Sequence, residues 1–555
     1  MCKRIILRVV ALAGGVFLIQ DRFAIAQGDE SVTRHHNAVE SGELKPDPPE
    51  AAKAAALEIS IAERRALLEG LLERRAEMIT TVDNSAPSPP GLPLRVGRAT
   101  GLGSAQEAEA RFPGDPSLLI IGRNNKNTRA NSALGSTLAE PAAANNARLV
   151  FAAGNFNHAE FSANGGGKWT NVPLPGGPAD APNLCCDHDV VIDDATRVVF
   201  HSVLYLNQFP PTNGVVRIFV RRNINSTVHN CSYTIDPAGT ANNDIPDYPH
   251  LGLTKRHLYL TINANNFARV YRFGIHEMAS CLTTPTQTFT QPHSTFGQRV
   301  WIPAQGANNI ETMYWAQHSN STTLRIFQWP ESAAAPTSVT RALTASSFGD
   351  PDCRGGTNNV DWIQGVSVPT IIGFDQHCTG APGANGGPGV LACYWNVGPD
   401  AAHTQGHIHA AAFSLSGLGL INQPHIFSNS FCWGFPVVTS NKRGDLGISV
   451  AFGGRAGGGG AAVQGAVGVD DEFTTGLGFF GTALATTASG THNPTRFGDY
   501  FTIHPYEPCE KWFAATNYAL SGGTGVANVN SRYVEFGRNQ SIRCYNSHKN
   551  HIPVQ

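Results

Sequence analysis

One motif recurs along most of this chain and constrains its fold more than any other feature. A polar or acidic residue, a proline or small residue and a short apolar run appear together seven times, at intervals of 47 to 74 residues. The seven copies begin near Glu140, Asp187, Asp247, Val300, Asp361, Phe435 and Asp499, and the fourth to sixth copies are the most divergent. In several copies a second apolar run follows, so each unit starts with a β-hairpin. The pattern predicts one repeated supersecondary unit.

Composition supports an all-β form of this repeat. The chain has 58 glycines and 35 prolines in 555 residues, and only 15% of its residues are charged. Turns are therefore frequent and helix formers scarce, which excludes coiled coils and helical repeats for most of the chain. A unit of this length fits one four-stranded propeller blade. We predict a β-propeller of six to eight blades over residues 96–545, with seven favoured by the number of anchors, followed by a C-terminal tail at 546–555.

The N-terminus has the pattern of an export signal. Basic residues precede an apolar stretch from Val9 to Ile19, and Ala24-Ile25-Ala26 matches the small-x-small pattern of a cleavage site. We predict a signal peptide at 1–26 and a secreted or periplasmic protein, with a retained N-terminal anchor as the alternative. No other stretch approaches the roughly 20 apolar residues of a membrane span, so no further span is expected.

Residues 27–95 differ from the rest of the chain. The sequence is polar and without apolar periodicity up to about Asp47, which predicts disorder. From 50 to 81 it is rich in Ala, Leu, Glu and Arg, with apolar residues at helical spacing, which predicts an amphipathic helix. A proline-rich linker at 85–93 follows. The helix could dock on the propeller, act as a tether or form a coiled coil.

Cysteine usage agrees with export. Of 11 cysteines, Cys2 lies in the expected signal peptide, and the other ten predict disulfides in an oxidising compartment. No Cys-x-x-Cys pair is present, which argues against a thiolate zinc site or a thioredoxin-like motif. Cys185 and Cys186 are adjacent, so they either bond to different partners or close a vicinal ring.

The repeat also predicts where chemistry would lie, because the starts of the innermost strands crowd around one mouth of a propeller channel. Two carboxylates there could act on a glycosidic bond as acid and base or nucleophile. A tyrosine or histidine near an arginine could serve lyase chemistry. The candidate catalytic residues are Asp499, Asp247 and Tyr500. The candidate substrate-binding residues are Arg496, Tyr248, His250, Asp187, Asp361 and Trp362. The alternative is that each aspartate only fastens its strand to the neighbouring blade.

Metal-binding patterns are weaker. In Asp187-His188-Asp189, strand alternation places the two carboxylates on one side and His188 on the other, so only a calcium site using both carboxylates is compatible. His407 and His409 share a face and could form a metal pair. We expect no cofactor, with calcium as the one alternative.

The segment Ser162-Ala163-Asn164-Gly165-Gly166-Gly167-Lys168-Trp169 resembles the Asp-box of sialidase-like propellers. Asn164 stands where that motif has Asp, and Lys168 where it has Thr. The resemblance implies a capped turn on the outer hairpin of a blade, with Trp169 packed between strands. Together with Glu140-Pro141, Cys185-Cys186-Asp187 and Arg496 to Tyr500, the chain also resembles secreted bacterial propeller proteins of unassigned activity.

These observations predict an exported propeller that acts on glycans. Aromatic residues lie beside the anchors, and sugar rings stack on aromatic faces; they are Tyr248, Trp362, Trp433 and Tyr500. The net charge of −2 offers no basic excess for nucleic acid. The expected partner is a polysaccharide or glycoconjugate, and the reaction is hydrolysis or lyase elimination. The alternative is a non-catalytic carbohydrate- or protein-binding propeller. The substrate and the oligomeric state stay open.

Overall fold

The computed structural model describes the regions that carry most of the repeat. These are residues 10–12, 15–17, 39–48, 119–126, 140–155, 158–193, 195–208, 211–237, 245–264, 267–292, 301–306, 310–348, 352–355, 360–363, 377–381, 389–460, 463–471, 480–483, 501–520 and 529–549. The expected cleavage site after Ala26, the helix at 50–81 and the anchor from Arg496 to Tyr500 lie outside the described residues. In the N-terminal unit, Met1–Ala38, two short strands pair as a hairpin, β1 (Val10–Leu12) and β2 (Gly15–Phe17).

Seven antiparallel sheets make up a seven-bladed β-propeller, which confirms the predicted fold class. Two strands precede the first blade in sequence, β3 (Val39–Leu44) and β4 (Leu119–Lys126). The first blade contains β5 (Ala142–Asn146), β6 (Leu149–Gly154), β7 (His158–Ser162) and β8 (Thr170–Asn171). The second contains β9 (Asn183–Leu184), β10 (Asp189–Ile192), β11 (Val199–Leu206), β12 (Gly214–Arg221) and β13 (Cys231–Ile235).

The third and fourth blades follow in sequence order. The third contains β14 (Asp247–Leu253), β15 (His257–Asn263), β16 (Phe267–Gly274) and β17 (Thr284–Pro292), with the short helix α1 (Ile275–Ala279) between the last two. The fourth contains β18 (Thr312–Asn320), β19 (Thr323–Pro330) and β20 (Thr337–Ala342). An extended segment before β18 takes the place of its innermost strand, where the Ala304 amide donates to the Tyr314 carbonyl at 2.8 Å.

The remaining blades complete the ring. A separate hairpin comes first, β21 (Arg354–Gly355) and β22 (Val360–Asp361). The fifth blade contains β23 (His377–Ala381), β24 (Val390–Val397), β25 (His407–Ser414), β26 (Leu420–Asn422) and β27 (His425–Ile426). The sixth contains β28 (Cys432–Ser440), β29 (Leu446–Gly453), β30 (Gln464–Asp470) and β31 (Phe480–Ala483). The seventh contains β32 (Ile503–Pro505), β33 (Phe513–Leu520) and β34 (Val529–Arg538). A short 3-10 helix (Asn539–Ser541) and α2 (Ile542–His548) follow.

The inner and middle strands are buried on both faces because each blade packs between two others. Every residue of β11 and β12 is buried, and so is every residue of β28 and β29. Apolar side chains therefore occupy successive positions in these strands. In a sheet with one face in solvent, apolar and polar residues would alternate instead. Seven tryptophans rank among the largest fully buried side chains. Burial between blades thus accounts for part of the aromatic pattern in the sequence.

A strand from the N-terminal side closes the ring. β4 pairs antiparallel with β34 of the seventh blade, from Leu119 opposite Arg538 to Lys126 opposite Arg532. The last sheet is therefore completed by the chain that enters before the first blade. This closure covers the edge that β34 would otherwise expose.

The segment 39–48 is ordered, although its polar sequence predicts disorder. β3 pairs with the outer strand β17 of the third blade. Asp47 then reaches the second blade, where its carboxylate accepts from Arg217 at 3.0 Å and Ser232 at 2.7 Å. Pairing with a distant strand, rather than local apolar content, orders this segment. Such a contact leaves no trace in local composition.

The prediction for the fifth anchor was wrong. Asp361 lies in the β21–β22 hairpin, whereas the first strand of the fifth blade is β23, beginning at His377. The hairpin is held to the sixth blade instead, through the Cys353–Cys432 disulfide and a hydrogen bond from Trp362 Nε1 to the Gly453 carbonyl at 3.0 Å. The sequence pattern of an anchor therefore also occurs in this short insertion, which contains a buried tryptophan.

All ten cysteines after Cys2 are paired, which confirms the prediction of disulfides. The pairs are Cys185–Cys186, Cys231–Cys281, Cys353–Cys432, Cys378–Cys393 and Cys509–Cys544. The adjacent pair therefore forms the vicinal ring. Within the described part of the chain, no helix is long and apolar enough to cross a membrane.

The Asp-box-like turn connects β7 and β8, the outer strands of the first blade. Ser162 Oγ accepts from the Gly166 amide at 2.8 Å, and Asn164 Oδ1 accepts from the Lys168 amide at 2.8 Å. Gly165 and Gly166 have φ of +69° and +82°, a region that glycine enters without a Cβ clash. Side chains therefore cap this turn.

Candidate functional site

The starts of four innermost strands share an unusual backbone conformation. Glu140, Asp187, Tyr248 and Phe435 have φ of +59°, +54°, +56° and +53°. They lie at or near the starts of the first, second, third and sixth blades, and proline follows three of the four. Non-glycine residues rarely adopt this left-handed region, and bulky ones such as tyrosine and phenylalanine least of all. Such positions persist only where surrounding contacts hold them, and they are frequent at functional sites.

Hydrogen bonds link the first three of these positions across three blades. Asn155, which directly follows β6, donates from Nδ2 to Glu140 Oε2 at 2.9 Å. Its Oδ1 accepts from the Asp187 amide, also at 2.9 Å. Asp187 Oδ2 in turn accepts from the Tyr248 amide at 3.1 Å. We call Glu140, Asn155, Asp187, Asp247 and Tyr248 the mouth cluster; all five are at least 90% buried.

Asp189 makes the corresponding contact two residues further along the chain. Its Oδ2 accepts from the Leu251 amide at 2.7 Å, and His250 Nδ1 lies 3.6 Å from the same oxygen. The His250 ring packs edge-on against Tyr248, with centroids 4.3 Å apart. Asp189, like Asp187, thus bonds to a backbone amide of the third blade.

His188 points the other way. Its Nδ1 lies 3.1 Å from His201 Nε2, and the His201 ring packs against Phe151 of the first blade. The two carboxylates of the Asp187-His188-Asp189 run therefore face one neighbour and the imidazole faces the other, as strand alternation predicted. Burial lowers the pKa of His201 well below its ordinary value, so this imidazole is neutral.

The remaining predicted residues fall in two groups. Asp247 begins β14 opposite Asn263 and belongs to the mouth cluster. Trp362 packs against Phe435, with ring centroids 5.8 Å apart, so the β21–β22 hairpin that carries Asp361 lies at the same mouth. Arg496, Asp499 and Tyr500 lie outside the described residues.

The asparagines of the second strands were missed by the sequence reasoning. Asn396 of β24 accepts from the Phe435 amide through Oδ1 at 2.8 Å, which repeats the contact between Asn155 and Asp187. Asn263 ends the second strand of the third blade. Aligning the ends of second strands, as well as the anchors, would have revealed this repeated amide.

The vicinal disulfide directly precedes Asp187. Both cysteines are fully buried, and the Cys185 amide donates to the Leu204 carbonyl at 3.0 Å. The covalent ring and this hydrogen bond fix the chain at the residue before the left-handed turn. Asp187 is therefore held from both sides, by the ring and by its bond to Tyr248.

A small cavity lies at the opposite ends of the inner strands. Its lining residues are Val191, Ile192, Leu253, Gln305, His504, Pro505 and Glu507. Glu507 is the one carboxylate of that lining and is ion-paired with Arg197. The acidic residues of consecutive blades meet at the other mouth, which we therefore take as the candidate site.

The predicted His407–His409 pair lies on β25, the third strand of the fifth blade. His407 is close to His403 and His425, whereas His409 Nδ1 lies 2.8 Å from Ser346 Oγ of the segment after β20. Burial lowers the pKa of His407 and of His425 to about 3, so both imidazoles are neutral at physiological pH.

Comparison with known proteins identifies no relative in sequence: no protein-family model matches, and neither does any curated protein. An α-L-arabinofuranosidase from Fusarium graminearum superposes with a TM-score of 0.37 at 9% identity, over 76% of this chain and 97% of that one. Polysaccharide lyase Uly1 superposes at 0.35 with 10% identity, over 82% and 98%. The propeller domain of the trilobed protease from Pyrococcus furiosus superposes at 0.35 with 9% identity, over 72% and 96%. Similarities this low support no inference about activity.

Proposed function

We propose that this protein is an exported propeller that acts on a glycan at the channel mouth. The observation that carries the proposal is the mouth cluster, in which hydrogen bonds connect left-handed residues of three consecutive blades, two of them acidic, next to Asp247. Cleavage of a glycosidic bond uses two carboxylates on either side of the bond, and this mouth carries several candidates. The expected signal peptide and the five disulfides fit a protein that works outside the cytosol.

Within this proposal Asp247 and Asp499 form the acid and base pair, with Tyr500 as a third catalytic candidate. Tyr248 and Trp362 would shape the wall of the site from within the protein, because they are only 1% and 0% exposed. Arg496 would bind an anionic group of the substrate, and His250, Asp187 and Asp361 are proposed as further polar contacts. Both a hydrolase and a lyase are compatible with these residues.

A polysaccharide screen tests the proposal. Full-length mature protein is incubated with neutral, acidic and sialylated glycans, and products are followed by reducing ends and by ultraviolet absorbance of unsaturated uronates. We expect turnover of at least one substrate, with Asp247→Asn and Asp499→Asn each abolishing it while the Tm changes by only a few degrees. Glu311→Gln is the matched control, because Glu311 is an exposed carboxylate paired with Lys255. Loss of activity in the control, or unfolding of either aspartate variant, would contradict the assignment.

Two substitutions at Asp187 separate its charge from its hydrogen bond. Asparagine removes the charge but keeps an oxygen that accepts from the Tyr248 amide, whereas alanine leaves that buried amide unpaired at a cost of about 1–3 kcal/mol. If Asp187 binds substrate through its charge, Asp187→Asn loses activity at unchanged stability. If it only fastens the third blade, Asp187→Asn keeps activity and Asp187→Ala alone is destabilised.

A non-catalytic binding propeller is the second candidate. The bonds of Asp187 and Asp189 to backbone amides favour it, because these carboxylates already hold the neighbouring blade. Binding of a glycan without any product would favour this candidate over the enzyme. We also propose a relationship to sialidase-like propellers, supported by the capped turn at 162–169. Sialylated glycans in the screen test whether this relationship extends to substrate.

A further inference from the structure

Three histidines of the fifth blade converge, apart from the mouth cluster. His403 lies in the loop after β24, His407 begins β25, and His425 lies in β27. Each offers one ring nitrogen, and the three nitrogens lie within 4.8 Å of one another. All three side chains are at most 2% exposed.

The spacing of these nitrogens suits a single ion. Two imidazole ligands bound at 2.0–2.1 Å in a tetrahedral zinc site have nitrogens about 3.3 Å apart. His407 Nε2 and His425 Nδ1 are 3.1 Å apart. A direct hydrogen bond between the two neutral rings is the competing explanation for this distance.

The hydrogen-bond partners of the other ring nitrogens favour metal binding by these histidines. His407 Nδ1 lies 3.1 Å from the Gln405 carbonyl, and His403 Nδ1 lies 2.9 Å from Asp400 Oδ1. A carbonyl or carboxylate can only accept, so both Nδ1 atoms carry the proton and both Nε2 atoms carry the lone pair. Metal-binding histidines are oriented in this way, with the second nitrogen donating to a carbonyl or carboxylate.

Asp400 is itself held in place. Its Oδ1 accepts from the Ala402 and His403 amides, each at 2.8 Å, so it also closes the turn that carries His403. Its side chain is 4% exposed. Asp400 is therefore a positioning residue for His403.

We propose that His403, His407 and His425 bind one divalent transition metal ion of the zinc class, which ties the loop after β24 and strand β27 to β25. Imidazole ligands suit zinc, copper, nickel and iron but not calcium or magnesium. The burial of all three rings indicates a site that is closed to substrate. This site is independent of the proposed activity on glycans.

Metal uptake by the full mature chain, without a histidine tag, tests the proposal. The protein is stripped with a chelator, dialysed and titrated with Co²⁺, which shows intense visible bands when it is bound tetrahedrally. We expect one Co²⁺ per chain, displacement by one Zn²⁺, and a Tm that rises with Zn²⁺ concentration. A wild-type chain that takes up no cobalt, or shows only the weak bands of octahedral surface binding, overturns the proposal whatever the variants do.

Variants locate the ion. His403→Gln and His425→Gln should each abolish the cobalt spectrum, and Asp400→Asn should weaken affinity by about 10-fold or more. His409→Gln is the matched control, since His409 is equally buried on the same strand and stacks on His425 with centroids 4.1 Å apart. The control should keep the spectrum. Unchanged cobalt binding in His403→Gln, or loss confined to His409→Gln, would contradict the assignment.

Discussion

Glu535 shows how far burial changes a single carboxyl group in this fold. It lies in β34, is 0% exposed and accepts from the Tyr545 hydroxyl at 2.6 Å. Arg123 Nε lies 3.3 Å from the same oxygen. Burial raises the pKa of Glu535 to about 7, although Arg123 and the hydrogen bond from Tyr545 act in the opposite direction. Near neutral pH this carboxyl is therefore only partly ionised.

This raised pKa predicts that stability falls as the pH rises. Between the ordinary value of 4.5 and the folded value of about 7, the folded state binds more protons than the unfolded state. The stabilisation is present in full below about pH 4.5 and is lost as the pH passes 7, which amounts to about 3 kcal/mol. Glu535→Gln keeps an acceptor for Tyr545 and should flatten this part of the profile. Urea unfolding at pH 5 and pH 8 measures the difference.

Glu311→Gln, which removes an exposed carboxylate, should leave the wild-type pH profile unchanged. Equal pH dependence in wild type and Glu535→Gln would show that Glu535 does not cause it.

The positions of the mouth cluster were predictable only in part. Glu140, Asp187 and Asp247 were found because the repeat places them at strand starts. Their partner Asn155 was missed because a lone asparagine at a strand end has no distinctive local pattern. The approach of His403 to His425 was missed for the same physical reason: loop geometry, not sequence spacing, brings them together.

Strand β3 depends on contacts far away in the sequence. It adds a fifth strand to the third blade, and Asp47 continues from it to the second blade. Arg217, the partner of Asp47, has a side chain that is 3% exposed. The stability of this segment therefore rests on one buried cation as well as on strand pairing.

Asp47→Ala should loosen β3 selectively. The substitution removes the carboxylate partner of a buried guanidinium, which keeps its hydrogen bonds to the Gly176 carbonyl and Ser232. We expect a loss of about 2–3 kcal/mol of stability and faster hydrogen exchange at residues 39–44. Glu43→Ala, on the exposed side of the same strand, is the control. Equal exchange rates in both variants would refute the role of Asp47.

The positions of strands were predicted better than the blade to which each strand belongs. Anchors that begin with a left-handed residue before proline were found, because proline and the following apolar run mark them in sequence. The fifth anchor failed because Trp362 is buried against the sixth blade, and a buried aromatic residue looks the same in an insertion as in an inner strand.

The molecule as a whole depends on the pairing of β4 with β34. Three truncated chains, beginning at residues 39, 119 and 127, separate the contributions of the N-terminal strands. A chain beginning at 119 lacks β3 but keeps the closing strand, and it should still unfold in one cooperative transition. A chain beginning at 127 exposes the whole edge of β34, so we expect aggregation and loss of that transition. Calorimetry and size-exclusion chromatography measure both. Cooperative unfolding of the shortest chain would show that β4 is dispensable.

The pairing of β4 with β34 also determines how the ring responds to mechanical force. Leu119 and Arg538 lie opposite each other at one end of the β4–β34 pair. Tension that separates these two points would peel the hydrogen bonds apart one after another, which needs far less force than shearing them all at once. The Cys509–Cys544 bond divides the load on the C-terminal side, because a pull beyond residue 544 reaches residue 509 as well as β34. Under mechanical load, therefore, β4 would leave first.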